Sequence, residues 1–145
     1  MATIEKSTVI AAPAEQIFTF ISEPTNLPEI WPSLVEVHDV TPAANGGSDF
    51  KWTYKMAGIR LEGASTSVEF TPPSGLSVAI KGGISSITTW SLEPDGDGTR
   101  VTIHAELTVP GKLLGKLAEP LVMRENRKEA EIILATLKQR LEQAG

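Results

Sequence analysis

The sequence predicts an α+β fold in which an antiparallel sheet of about seven strands packs on one long C-terminal helix. Segments rich in β-branched and aromatic residues, separated by turns that contain glycine, proline or asparagine, fill residues 33–109. Apolar residues then recur at helical spacing through residues 113–141. Strands that follow one another through short connections pair antiparallel, so we expect the helix to cover one face of the sheet.

The N-terminal part adds one more strand and a short helix. Residues 2–10 have the β-branched composition of a strand. Residues 13–22 follow as a helix, since Pro13 suits a first helical turn. Its apolar face is formed by Ile17, Phe18 and Ile21. Prolines interrupt residues 23–33, so we expect a loop or one short helical turn there.

Alternation within the later segments predicts which side chains face the helix. The six further strands are expected over residues 33–42, 48–57, 60–71, 75–82, 84–93 and 98–109. Apolar side chains take every second position in two of them: Phe50, Trp52, Tyr54 and Met56, and Val101, Ile103, Ala105, Leu107 and Val109. By the same parity Ser86, Thr88 and Trp90 point inward. The sheet is therefore expected to have one covered and one solvated face.

The C-terminal segment has the pattern of an amphipathic helix. Its apolar positions are Leu113, Leu114, Leu117, Leu121, Ile133, Leu134, Leu137 and Leu141. We expect Pro120 either to kink one helix or to separate two. The charged residues between the apolar ones are interpreted as a solvated face: Arg124, Glu125, Arg127, Lys128, Glu129 and Glu131.

Length and composition restrict the possible functions. The 145 residues suit one domain, 1–145, and a net charge of -5 argues against binding to nucleic acid. Without any cysteine the chain forms no disulfide, thiolate nucleophile or cysteine-ligated metal site. We find neither a signal-peptide pattern nor an apolar run long enough to span a membrane. A cytoplasmic monomer without a cofactor is expected.

Several short motifs resemble one known superfamily. They are AAPAE at 11–15, NLP at 26–28, WSLEP at 90–94, GTRVT at 98–102 and the closing helix at 134–142. Together they resemble the START-like helix-grip (SRPBCC) superfamily, and they are most similar to its polyketide cyclase/dehydrase-like branch. The resemblance implies a sheet curved around the C-terminal helix, with a ligand cavity between them. Proteins of this fold include lipid and hormone carriers, aromatase/cyclases, quinone-binding proteins and co-chaperones, so the fold alone fixes no activity.

The candidate ligand site consists of large and hydroxyl-bearing side chains expected on the inner face. Indole, phenol and hydroxyl groups in an apolar wall suit a mainly hydrophobic molecule with one or two polar atoms. The alternative is that these side chains simply fill the core, each hydroxyl bonding to a neighbouring backbone group. The predicted ligand-binding residues are Trp31, Trp52, Tyr54, Met56, Ser86, Thr88, Trp90, Ala105, Leu107, Leu117, Leu121 and Met123.

Four other polar residues are weaker candidates. Counting in steps of two from Phe70 places Glu62 on the inner face, where burial could make it an acid or base, but counting from Leu61 places it outside. His104 and Glu106 share the face expected to be solvated, without an evident third metal ligand. His38 stands beside Glu36 on a strand whose faces are ambiguous.

Three functions remain open from the sequence. The first is a protein that binds a hydrophobic lipid-, quinone- or polyketide-like molecule between sheet and helix. The second is a polyketide cyclase or dehydratase type of enzyme, with Glu62 and Tyr54 as candidate proton-transfer groups, although no catalytic constellation or catalytic motif is recognisable. The third is an interaction module, similar to co-chaperones, that docks a protein partner on its outer surface.

Overall fold

One antiparallel sheet organises the part of the chain that the computed structural model describes, residues 2–56, 58–82, 85–108 and 119–144. Its strands are β1 Ala2–Ile10, β2 Leu34–Pro42, β3 Ser48–Met56, β4 Ile59–Thr71, β5 Gly75–Lys81, β6 Ser85–Asp95 and β7 Gly98–Thr108. They lie in the order β1-β7-β6-β5-β4-β3-β2. The first strand, β1, pairs with the last strand, β7. Every other neighbouring pair is consecutive in sequence, as in a meander.

The helices take the positions that the sequence predicts. Helix α1 spans Ala14–Ser22, with Pro13 at its N-cap. A 3₁₀ helix follows at Pro24–Glu29. Helix α2 spans Glu119–Ala144 and packs on β1. The predicted α+β architecture is confirmed, and the strand ends fall within about two residues of their predicted places.

The sheet buries one face, as its alternation predicts. On β7, Val101, Ile103 and Leu107 are buried, whereas Ile87 of β6 and Val68 of β4 are exposed on the outer side. From α2 the core receives Ile133, Leu134, Leu137 and Leu141. These side chains form one buried cluster with Ile17 and Phe18 of α1. The core therefore lies between the inner face of the sheet and the two α-helices.

Pro120 is the second residue of α2. Proline is tolerated in the first helical turn, because the N–H that it lacks has no partner within the helix there. The positions Leu113, Leu114 and Leu117 lie outside the described residues, as does the connection that precedes α2. None of the helices in the described ranges has the length and hydropathy that a membrane span requires.

Candidate functional site

A cavity separates the middle of the sheet from the first half of α2. It has a volume of about 140 Å³. All seven strands, α1, the 3₁₀ helix and α2 contribute to its wall, and most of the contributing side chains are apolar. Protein interiors normally contain few voids larger than one water molecule. The large inner-face side chains therefore surround a real chamber instead of filling the core completely.

Eight of the predicted ligand-binding residues line this chamber. They are Trp31, Trp52, Tyr54, Ser86, Thr88, Trp90, Ala105 and Leu107. Met123 is buried, but the described wall of the cavity does not include it. Leu117 lies outside the described residues, and so do the side chains of Met56 and Leu121. The structure thus brings most of the predicted set together, while their contact with a ligand remains a prediction.

Hydroxyl groups form one polar part of the wall on β6. Ser86 Oγ and Thr88 Oγ1 lie 2.8 Å apart and share a hydrogen bond. Across the sheet, Trp52 Nε1 and Ser65 Oγ are buried and have no hydrogen-bond partner in the described part of the chain. Gly63 allows Trp52 to lie close to β4, because a Cβ atom at residue 63 would come within 2.5 Å of Trp52 Cζ2.

A buried carboxyl group forms the other polar part. Glu129 of α2 is only 8% exposed. Its Oε1 atom accepts a hydrogen bond from Tyr54 Oη at 2.9 Å and another from Trp31 Nε1, while Oε2 accepts one from Ser33 Oγ. The rings of Trp31 and Tyr54 meet edge to face, with centroids 6.1 Å apart. The interpretation of Glu129 as part of a solvated helix face is therefore wrong.

The electrostatics of this group follow from its burial. Loss of hydration raises the pKa of Glu129, the three hydrogen bonds oppose that change, and the charge of Glu125 adds to it. Burial also raises the pKa of Tyr54 strongly, and the adjacent Glu129 carboxylate contributes to the increase. Tyr54 is consequently a neutral hydrogen-bond donor. Glu129 is the titratable carboxyl group of this cluster, and its burial favours the protonated form.

Sequence comparison assigns the chain to a known family. The family model described as polyketide cyclase/dehydrase and lipid transport matches residues 1–142. The chain belongs to this polyketide cyclase/dehydrase and lipid transport family. No curated protein has significant sequence similarity to it. The family agrees with the branch that the short sequence motifs resemble.

Solved structures similar to this family member extend the comparison to the fold. A START superfamily protein from Mycobacterium smegmatis has a TM-score of 0.82 and 18% identity, with 99% of each chain covered. A protein from Thermus thermophilus has a TM-score of 0.78 and 21% identity, again with 99% of each chain covered. The di-domain ARO/CYC protein StfQ of the steffimycin biosynthetic pathway has a TM-score of 0.80 and 15% identity, covering 98% of this chain and 51% of StfQ. The chain has the START-like helix-grip fold.

Glu62 does not line this cavity. Its side chain is 71% exposed and lies 3.9 Å from Arg60 Nε. The register of β4 against β5 shifts between Ser67 and Glu69, which marks a β-bulge. Because a bulge adds one residue to a strand, parity counted from Phe70 is inverted beyond it. The count from Leu61, which is buried, gives the correct face.

The two histidines lie outside the cavity wall that the described residues form. His104 Nδ1 is 3.1 Å from Glu5 Oε1, and its Nε2 is 3.9 Å from Glu106 Oε1 on the outer face of the sheet. His38 Nδ1 is 3.3 Å from Glu36 Oε1. All these side chains are more than a third exposed. The expectation that His104 and Glu106 share the solvated face is confirmed.

Sequence reasoning missed Glu129, although a signal for it exists. Residue 129 precedes Ile133 by four positions and Leu137 by eight. Residues with this spacing share one side of a helix, so Glu129 lies beside the apolar stripe. A glutamate at such a position is a candidate for burial whenever donors can reach it from other elements.

Proposed function

We propose that this protein binds a hydrophobic small molecule, lipid-, quinone- or polyketide-like, in the cavity between the sheet and α2. The observation that carries the proposal is a chamber of about 140 Å³ with a mainly apolar wall. Pockets for small molecules are typically of this kind, with a few placed polar groups that orient the ligand. Here those groups are the Ser86–Thr88 pair and Glu129 with its donors.

The energetics of the void support a resident ligand. An unfilled apolar wall costs stability, because its side chains lack packing partners on one side. An apolar ligand would restore those contacts and would lose its own exposed surface, at roughly 25 cal/mol per Å². The family's description includes lipid transport, and StfQ is an ARO/CYC protein. Both are compatible with a hydrophobic guest.

A cavity-filling substitution tests the proposal. Ala105 faces the cavity from the middle of β7, so Ala105→Phe should occupy space that a ligand needs. Thr102→Phe places the same side chain on the outer face of the same strand and serves as the matched control. We expect the organic extract of gently purified wild-type and Thr102→Phe protein to contain a stoichiometric hydrophobic compound by mass spectrometry. The extract of Ala105→Phe should contain much less of it.

Titration with the neutral dye Nile red provides a second readout for transiently bound ligands. Binding to the wild-type protein and Thr102→Phe, but weak binding to Ala105→Phe, would support the proposal. Circular dichroism would establish that both variants are folded. The proposal fails if the wild-type protein contains no compound and binds no dye, or if Ala105→Phe binds as well as the control.

A second candidate function, catalysis of the cyclase or dehydratase type, is favoured by the Glu129 group. Such reactions move protons to and from a bound carbon skeleton, and a carboxyl group with a raised pKa at a cavity wall suits that task. Turnover of a polyketone substrate that is lost in Glu129→Gln and retained in Glu131→Gln would support it. Equal turnover in both variants would exclude Glu129 as the acid or base.

A further inference from the structure

The charge inside the cavity comes from one side chain. Among the described residues that line it, Glu129 alone has a carboxylate, and none is a lysine, arginine or histidine. Apart from the neutral phenol of Tyr54, the remaining polar lining groups are hydroxyls, indoles and one amide. A ligand that enters this chamber therefore meets a carboxyl group held by three donors, as a carboxylate would be, with no described cation in the wall.

The hydrogen bonds of Glu129 leave room for one more donor. A carboxylate has about four lone-pair directions, two on each oxygen. Trp31 and Tyr54 both donate to Oε1, whereas Ser33 is the one described side chain that donates to Oε2. A polar hydrogen supplied by a ligand can therefore complete the set at Oε2. A second anion brought to this place would find like charge and no free donor at the carboxylate.

The apolar part of the chamber extends away from Glu129. Tyr54 lies on β3, and Trp90 lies on β6, three strand positions further across the sheet. At about 4.8 Å between neighbouring strands, this path measures roughly 14 Å along the sheet. Trp52 Nε1, a donor without a described partner, lies near its beginning. An indole N–H has no charge with which to offset an anion.

On the basis of the proposed ligand binding, we infer that the cavity selects amphiphiles whose head group donates a hydrogen bond to Glu129, such as an alcohol or amine, and rejects anionic head groups. Desolvating an anion beside a buried carboxylate adds repulsion between like charges and leaves the anion without a counter-charge, which is costly. An alcohol or ammonium group instead finds an acceptor. The selectivity thus rests on repulsion of the wrong head group as well as on attraction of the right one.

Probes with one tail and different heads test this inference. Decanol, decylamine and decyl sulfate would compete with bound Nile red on delipidated wild-type protein, with decanol below its solubility limit and the two ionic probes below their critical micelle concentrations. We expect decanol and decylamine to displace the dye at concentrations at least about tenfold lower than decyl sulfate. The comparison of decylamine with decyl sulfate needs no variant, because both heads are charged in water and only the sign differs, so it remains decisive even if a substitution at residue 129 prevents folding.

Two isosteric variants assign the effect to Glu129. Glu129→Gln removes the buried charge, so the preference should shrink to within about threefold. Glu131→Gln removes an equal charge from an exposed position of the same helix, where Glu131 pairs with Lys6 at 2.9 Å, and it should keep the wild-type preference. This control separates the local effect from that of net charge.

Each outcome separates the inference from the proposed function. If decyl sulfate binds the wild-type protein as tightly as decanol, the inference is overturned and the hydrophobic cavity remains. If folded Glu129→Gln keeps the full preference, Glu129 is not its source and the inference is likewise overturned. If neither Nile red nor any of the three probes binds, the proposed function itself fails.

Discussion

Two segments of α2, residues 119–133 (the cavity half) and residues 134–144 (the C-terminal half), meet the sheet in different ways. In the C-terminal half, Leu137 is 0% exposed and belongs to the same core cluster as Ile10 of β1 and Val101 of β7, which are equally buried. In the preceding part of the helix, Ala130 and Ile133 face the cavity. One helix thus supplies solid packing at one end and the wall of a chamber at the other.

The polar groups of α2 also differ between its two halves. Near the C-terminal end, Lys138 Nζ donates to Val9 O at 2.7 Å, and Ala11 N donates to Glu142 Oε2 at 2.9 Å. These bonds lie at the partly exposed surface of α2, where water can replace them at little cost. Glu129 is buried at the cavity wall, and its hydrogen bonds come from Trp31, Ser33 and Tyr54. Under the proposed function, the C-terminal half of α2 contributes stability and the cavity half contributes ligand selectivity.

Truncating one apolar side chain in each half should produce the largest contrast. Leu137→Ala creates a void in tightly packed surroundings, and we expect a loss of about 2–5 kcal/mol in the free energy of unfolding. Ile133 already lines the cavity, so Ile133→Ala removes fewer packing contacts. The expected loss in the free energy of unfolding is about 2 kcal/mol or less. Urea denaturation measures both losses, provided that the m-values of the variants are unchanged. Equal losses would show that the two halves are packed alike.

A smaller contrast is expected for two buried threonines. Thr99 Oγ1 donates to Ala12 O at 2.8 Å and is 2% exposed. Thr99→Val leaves that carbonyl unpaired, at about 1–3 kcal/mol. Thr88→Val on the cavity wall should cost less than about 1 kcal/mol, because Ser86 can bond to water or ligand in the chamber. The same denaturation experiment compares the two variants. A larger loss of stability for Thr88→Val would contradict the distinction between the solid core and the cavity wall.

Sequence patterns were sufficient for most of the fold. Turn residues separate every pair of strands, and alternation is unbroken on β6 and β7, so the inward positions of Thr88, Trp90 and Ile103 could be predicted. Where the register shifts, alternation no longer predicts the face of a side chain. The bulge after Ser67 has this effect on the position predicted for Glu62. Local periodicity predicts a face only as long as the strand remains regular.

The site could be predicted only in part, because its polar centre depends on contacts between distant segments. The donors to Glu129 are Trp31, Ser33 and Tyr54, which are 98, 96 and 75 residues away in the chain. In sequence, Glu129 is one member of a charged cluster on a helix. Only the packing of α2 against the start of β2 and the end of β3 distinguishes it from its exposed neighbours.

The smallest expected effect is on the pH dependence of stability, since hydrogen bonds to Glu129 partly cancel the effect of its burial. The pKa of Glu129 is raised above its ordinary value of 4.5, so the folded state holds this proton more tightly than the unfolded state. Its contribution to stability is therefore present below that value and is lost as the pH rises through the folded-state pKa. Glu142 has the opposite sign: hydrogen bonds from Lys138 and Ala11 lower its pKa, so its contribution is present above 4.5 and is lost on acidification.

The two glutamates of α2 can therefore be separated by the direction of their pH effects. Urea denaturation from about pH 4 to about pH 8 should show that Glu129→Gln removes a decline in stability on the alkaline side of the ordinary carboxyl pKa. Glu142→Gln should instead remove an increase at the acidic end of the range. The slopes of stability against pH are compared instead of the absolute stabilities, because each substitution also changes hydrogen bonds of the glutamate it replaces. If Glu129→Gln and the wild-type protein have parallel profiles, Glu129 does not titrate as a buried group, and the cavity half of α2 loses its electrostatic distinction from the C-terminal half.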